Sequence, residues 1–346
     1  MRRILADVDT GIDDAIALLH LAGHPQVDLV GVTTTSGNTT AAQAAANSAA
    51  VLTVAGRTDV PVRVGSPTPL VIPLATAPET HGPTGLGYAQ LPSGRVDDGD
   101  WLELWLDELH THPGQTTILV TGPMTNLAHA LDAEPRLGEL AAGIVIMGGA
   151  INYPGNSDTT AEFNVRTDPH AAARVLASFD GAPVARLPRL ATLGVTEQAT
   201  ITPRDLDALA RACGARAPRL DADLPRSAAP ADLGQPVIDL VCDALRFYFE
   251  FHLDWDGVYL AMLHDLLAAQ IAAGDIRPEL TPTWVGVETQ SPLTLGLTIA
   301  DVRGRLGRQP NTALVGPVDR EAVLAALTSS LRRLTAAPTS RVERGR

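Results

Sequence analysis

Short runs of consecutive apolar residues alternate along the chain with longer runs whose apolar positions recur every three or four residues. Ile4 to Val8, Val27 to Thr35, Val60 to Val64, Thr116 to Val120 and Ile144 to Met147 read as strands. The last two are continuous and flanked by Gly, the pattern of strands buried on both faces of a parallel sheet. Ala15 to Leu21, Thr40 to Ala55 and Asn126 to Leu131 read as helices. This alternation predicts an α/β fold: one domain over residues 1–334, with a mainly parallel central sheet flanked by helices around a Rossmann-like core. Ligands of such sheets bind beyond the carboxyl ends of the strands. Ala75 to Arg95, with four Gly and three Pro, and the Ala-, Pro- and Asp-rich Gly214 to Pro236 read as mobile loops. Residues 335–346 read as a disordered tail.

Composition narrows the function. Of the 346 residues, 45% are hydrophobic and 19% charged, enough for a large buried core. The formal charge of −13 argues against nucleic-acid or anionic membrane partners. All 26 basic residues are Arg. Without a lysine there is no Schiff base to a carbonyl or to PLP, and no Walker A motif. Cys213 and Cys242 are too few for a disulfide framework or a four-cysteine zinc site. The longest apolar stretch, Leu140 to Ile151, falls short of the roughly 20 residues that span a bilayer. Asp7 and Asp9 interrupt the apolar run behind Met-Arg-Arg, so no signal peptide is read there. A cytoplasmic protein is expected.

The densest chemical signal is Asp7-Val8-Asp9-Thr10-Gly11-Ile12-Asp13-Asp14, with four carboxylates where a strand ends and a helix begins. Helix capping and the helix dipole account for Asp13 and Asp14, but not for Asp7 and Asp9. Like charges that converge there need a cation or bound protons. The lack of His and Cys favours Mg²⁺ or Ca²⁺ over zinc. Asp7-Val8-Asp9-Thr10 also opens like the motif of haloacid-dehalogenase-type Mg²⁺ phosphohydrolases. Gly11 is wrong for the fifth position of that motif, and the lysine that usually holds the phosphoryl charge is missing. Taken singly, Asn38 after Gly37 and Asn156 after Gly155 read as turn formers, and His264-Asp265 as a buried pair.

The octet with Ala15 resembles the Asp-x-Asp-Pro-Gly-x-Asp-Asp-Ala signature of the inosine-uridine-preferring, calcium-dependent nucleoside hydrolases. Thr34-Thr35-Ser36-Gly37-Asn38, Glu79-Thr80-His81-Gly82, Thr121-Gly122-Pro123-Met124-Thr125-Asn126, Met147-Gly148-Gly149, Gly155-Asn156, Ala161-Glu162-Phe163-Asn164 and His264-Asp265 follow in family order. The resemblance implies the nucleoside hydrolase fold, a ribonucleoside substrate, and a homodimer or homotetramer. It implies Ca²⁺ held by Asp9, Asp14, the Thr121 carbonyl and Asp265, with Asp9 as the base for the attacking water. Asp13, Asn38, Met147, Asn156, Glu162, Phe163 and Asn164 match substrate contacts, with Glu162 and Asn164 expected on one face of an extended segment. His264 matches the acid that protonates the leaving base, a role suited to a pKa near 6.5. His81 is a second candidate beside the base. Thr10 stands where the family has Pro, Leu266 where it often has Pro, and Glu197 where it often has His. The sequence does not say which ring of Phe247 to Phe251 meets the base. A non-catalytic nucleoside or sugar binder is the remaining alternative, and Asp9, Asn164 and His264 argue against it, because a pure binder needs no activated water.

Overall fold

A computed structural model describes residues 1–336. β1 (Arg2–Val8) leads through a tight turn into α1 (Ile12–Gly23), then β2 (Val27–Thr34), α2 (Ala41–Val54), β3 (Val62–Val64), α3 (Pro78–His81) and α4 (Trp101–Thr111). β4 (Thr116–Val120), α5 (Thr125–Ala133), α6 (Leu137–Leu140) and β5 (Gly143–Met147) follow. α7 (Phe163–Thr167) and α8 (Pro169–Ala177) precede β6 (Arg189–Ala191), α9 (Leu193–Thr196), β7 (Thr200–Ile201) and α10 (Pro203–Ala212). The chain closes with α11 (Pro236–Asp256), β8 (Ala261–Met262), α12 (His264–Ala273), β9 (Leu280–Thr283), β10 (Val285–Val287), β11 (Thr298–Ala300), β12 (Thr312–Val315) and α13 (Arg320–Ala336).

Eight strands form the central sheet in the order β3-β2-β1-β4-β5-β6-β12-β9. All neighbours run parallel except β9, which runs antiparallel to β12. The expected mainly parallel α/β core is therefore present. The first six strands have the order of a doubly wound dinucleotide-binding sheet, which reverses direction between β1 and β4. At such a switch point the flanking connections part and leave a crevice at the carboxyl ends of those two strands. Asp9 and Thr121 stand there.

α1 and α12 lack a polar face. All twelve residues of α1 and all ten of α12 are buried. A helix apolar nearly all round belongs inside a core, and these two pack against each other behind the sheet. Their first turns carry Asp13, Asp14 and Asp265 into the interior with them.

Several expectations change. β3 starts at Val62, not Val60, because Pro61 has no N–H and joins the ladder only as acceptor to Val32. The Ala75–Arg95 loop holds α3 and is packed down. Leu86 is buried in it, and a Cβ on Gly94 would lie 2.1 Å from the Ala49 carbonyl of α2. Gly214–Pro236 is irregular as expected, but backbone bonds from Ala231 and Leu233 to Asp243 and Asp239 tie it to α11. Of the expected tail, Thr335 and Ala336 finish α13 and the rest lies outside the described residues. Cys213 and Cys242 are free and buried. Among the described residues no helix is long and apolar enough to cross a membrane.

Candidate active site

The crevice opens into a cavity of about 590 Å³. Its floor is the meeting point of two helix N-termini. Carboxylate oxygens of Asp13, Asp14 and Asp265 all lie within 4.8 Å of one another. Asp14 is fixed by three donors: the Gly11 N–H (2.9 Å), the Thr121 hydroxyl (2.7 Å) and the Asn38 side-chain amide (3.3 Å). Asp9 accepts the Asn38 backbone N–H at 2.7 Å on Oδ2, while its buried Oδ1 has no partner among the described residues. Two glycines make this density possible. A Cβ on Gly37 would sit 2.0 Å from Asp9 Oδ2, and one on Gly11 would sit 2.5 Å from His81 Nδ1. Thr10, in the place of the family's Pro, does not leave the turn loose: its hydroxyl pairs with Ser48 at 2.6 Å, and its carbonyl accepts from Asn47.

Burial raises the pKa of each of these acids above the ordinary carboxylate range, and their mutual repulsion adds to it for Asp9, Asp13 and Asp265. Asp13 is pushed up to about 7. Asp7 is also pushed up to about 7 by burial, but it does not line the cavity. It accepts from Thr33 and Asn126 at 2.7 Å each, and so braces β1 against β2 and α5. The converging group contains Asp13 in the place expected for Asp9, which lies outside it; an all-oxygen set that repels itself and holds raised proton affinity fits a hard cation. The residues present can therefore hold a metal ion.

The cavity wall holds the other predicted residues. Asn164 donates to the Thr121 carbonyl at 2.5 Å and lies 3.5 Å from the Met147 sulfur. Glu162 is not on an extended segment with Asn164, because the chain turns helical at Phe163. Glu162 becomes the N-cap of α7, accepting from the backbone N–H of Asn164, Val165 and Gly149. The N-cap preference for a side chain that reaches the N2 and N3 amides outweighs strand alternation here. Asn156 accepts the Phe163 N–H at 2.9 Å, which folds its loop over the same wall.

Three imidazoles surround the upper cavity. His81, in α3, accepts the Ile12 N–H on Nδ1 at 3.1 Å and so caps α1. His264 Nδ1 pairs with the Thr196 hydroxyl at 2.8 Å, leaving Nε2 without a partner among the described residues. The ordinary pKa expected of His264 does not hold. Burial, with the imidazoles of His252 and His81 nearby, pushes it down to about 3, and His81 is lowered likewise. Both are neutral at pH 7.

The rings of α11 divide between core and cavity. Tyr248, Phe251, His252, Trp255 and Asp256 line the cavity, and Tyr248 is the buried ring, 5.7 Å from His81. The sequence reading missed His252, Trp255, Asp256 and Tyr153. The spacing 248, 251, 252, 255 is one helical face, a signal that was present in the chain. Glu197 lines the mouth and accepts from the Tyr153 hydroxyl. Among the described residues no arginine lines this cavity.

The family model described as inosine-uridine preferring nucleoside hydrolase matches residues 4–325. A pyrimidine-specific ribonucleoside hydrolase RihA from Salmonella paratyphi B is 35% identical over 336 residues, 95% of this chain and 98% of the relative. The protein of that name from Shigella flexneri serotype 5b is 36% identical over the same shares. Among solved structures, a plant nucleoside hydrolase aligns with a TM-score of 0.79 at 27% identity, over 97% of this chain and 99% of its own. A purine-preferring ribonucleoside hydrolase from Gardnerella vaginalis gives 0.81 at 25% identity, over 96% and 99%. The chain belongs to the inosine-uridine preferring nucleoside hydrolase family, and is a glycosidase that cleaves the N-glycosyl bond of ribonucleosides.

Proposed function

We propose that this enzyme hydrolyses pyrimidine ribonucleosides to ribose and free base with the help of one bound Ca²⁺. The observation that carries the metal reading is the self-repelling, buried oxygen cluster on the cavity floor. Asp9, Asp14, Asp265 and the Thr121 carbonyl would hold the ion. Calcium tolerates a crowded, irregular oxygen set better than magnesium, which demands near-octahedral geometry. A bound Ca²⁺ supplies positive charge that orients the attacking water and lowers its pKa.

The chain's own residues do the rest. Asp9 takes the water's proton on Oδ1, with Oδ2 anchored by Asn38. Asp13 and Asn38 grip ribose hydroxyls, and Met147, Asn156, Glu162, Phe163 and Asn164 form the remaining sugar wall. Positive charge grows on the ribose as the glycosidic bond breaks, so a carboxylate floor stabilises the transition state more than the ground state. A neutral His264 that accepts from Thr196 on Nδ1 carries its hydrogen on Nε2 and donates it toward the departing base. This is hydrogen-bond assistance by imidazole, not proton delivery by imidazolium; the base leaves as its anion and takes its proton from solvent water.

The pyrimidine preference rests on the relatives of 35–36% identity, named as pyrimidine-specific. We further propose a cytoplasmic homodimer or homotetramer, which light scattering would test. Steady-state assay of uridine, cytidine, inosine and adenosine with added Ca²⁺ tests the substrate. At least a tenfold higher kcat/KM on uridine or cytidine is expected, and equal or higher values on the purines would refute it.

A further inference from the structure

A second cavity, of about 640 Å³, opens where strands of the central sheet begin, not where they end. Arg2 and Arg189, the first residues of β1 and β6, line it together with Arg3 and with Arg277 from the turn after α12. No carboxylate lines it among the described residues. The active-site cavity has the opposite make-up, with six carboxylates and no arginine among the described residues. The two lie at opposite ends of α12. Asp265, in its first turn, stands at the active site, and Ala272 and Gly274 border the second cavity, roughly 14 Å further along the helix.

Most of this positive charge has no internal counterpart. Arg3 is neutralised by Glu108 and Asp28, at 2.7 and 3.0 Å. Arg2, Arg189 and Arg277 pair with no carboxylate among the described residues. Arg2 donates to the Ala273 carbonyl, and Arg277 Nε donates to the Gly274 carbonyl at 3.3 Å. Capping of the α12 C-terminus accounts for these two bonds. A guanidinium has five N–H donors, however, and each of these gives one to the helix. Capping does not account for Arg189, which stands on β6, three strands from β1. In a chain of formal charge −13, three uncompensated arginines around one cavity reverse the local sign of the field. Ile271, Ala272, Ile276 and Leu280 give the same cavity an apolar side.

We propose that this second cavity binds a phosphate ester of nucleotide size, with its phosphoryl oxygens on Arg2, Arg189 and Arg277 and its uncharged part on the apolar side. The planar fork of a guanidinium matches phosphoryl oxygens in pairs. The lining runs from β1 to β6, three strand spacings or about 14 Å, which is longer than a single phosphate ion. Its volume lies in the range of small-molecule sites. The carboxylate-lined active site repels phosphoryl groups, so nucleoside and nucleotide are sorted to opposite ends of α12. Binding at the second cavity needs neither the metal nor turnover.

Isothermal titration calorimetry on the full-length, Ca²⁺-supplied protein tests this with uridine 5′-monophosphate and with inorganic phosphate. The nucleotide should bind the wild type one to one, and about tenfold or more tighter than inorganic phosphate, because only the ester covers the apolar side. The double variant Arg189→Gln/Arg277→Gln should weaken nucleotide binding about tenfold or more. Both positions are exposed, so the variant keeps the fold, which circular dichroism checks. Its kcat/KM on uridine should stay within about twofold of wild type, as expected for distant sites. Arg204→Gln/Arg303→Gln removes the same charge at two exposed positions outside the cavity and should leave nucleotide binding unchanged. Absence of saturable binding to the wild type overturns the proposal. So does equal affinity in Arg189→Gln/Arg277→Gln, which would place the nucleotide elsewhere, or an equal loss in Arg204→Gln/Arg303→Gln, which would make the effect one of net charge. Inorganic phosphate bound as tightly as the nucleotide overturns the ester as the ligand.

Discussion

One oxygen of Asp9 is fixed by the Asn38 N–H at 2.7 Å, and the other is buried without a partner among the described residues. That asymmetry separates anchoring from chemistry within a single side chain. Asp9→Asn leaves an oxygen for the Asn38 N–H but puts an amide where the proton acceptor was. The expected result is a kcat loss on the order of 10²–10⁴, the usual range for a general base, with a much smaller change in KM. Steady-state kinetics with matched metal content would show it. A variant with half the wild-type kcat would remove Asp9 from that role. Single residues of this kind were legible in the chain because their neighbours are unusual: four acids in eight positions have no common structural purpose. What the linear pattern did not separate is Asp7 from Asp9. Both precede the same turn, and only the third dimension shows Asp7 turned toward Thr33 and Asn126.

At the level of elements, α9 and α12 jointly set the state of the imidazole beside the base. Thr196 ends α9 and His264 begins α12, so the bond between them fixes the orientation of the ring. Because burial and the neighbouring imidazoles push His264 down to about 3, activity on nucleosides should not fall as pH rises from 6 to 8, as it would for an imidazolium acid of ordinary pKa. His264→Ala should lose roughly 10²-fold or more on uridine and stay near wild type on p-nitrophenyl riboside, whose phenolate leaves unaided. Equal losses on both substrates, with the metal still bound, would make His264 a positioning residue for the sugar. The alternation of elements was readable because buried parallel strands and apolar helices have distinct periods. The helical start at Phe163 was not. A run of four or five residues has too little periodicity to outweigh strand-like alternation, and the deciding contacts of Glu162 with Gly149 come from another segment. The loop packed between α2 and α11 was hidden for a similar reason: its glycines fit against surfaces that are distant in the chain.

For the whole molecule, the floor couples stability to metal and to pH with a definite sign. Asp7 and Asp13 are pushed up to about 7, and Asp9, Asp14 and Asp265 are raised as well. An acid whose pKa is higher folded than unfolded binds its proton more tightly in the folded state. Without metal, its contribution to stability is therefore lost as pH rises, here between about 4 and 7. Glu108, Asp205 and Asp275 act the opposite way. Against the upward push of burial, Arg3, Thr202 with Arg320, and His20 with His24 hold them low, so what they contribute is lost only as pH falls through the acid range. Metal-free protein should thus be most stable near pH 5 and melt at progressively lower temperature toward pH 8. Bound Ca²⁺ keeps the floor ionised and competes with protons, so its stabilisation should grow over the same interval. At a free concentration a hundred times Kd it is worth about 2.7 kcal/mol, or several degrees in Tm for a chain of this size. Calorimetry at pH 5, 6, 7 and 8, with chelator and with Ca²⁺ or Mg²⁺, would show two curves that diverge as pH rises, with the larger gap for Ca²⁺. If the chelated protein melted at steadily higher temperature from pH 5 to 8, or Ca²⁺ left Tm unmoved at pH 8, the carboxylate floor would not be the metal site.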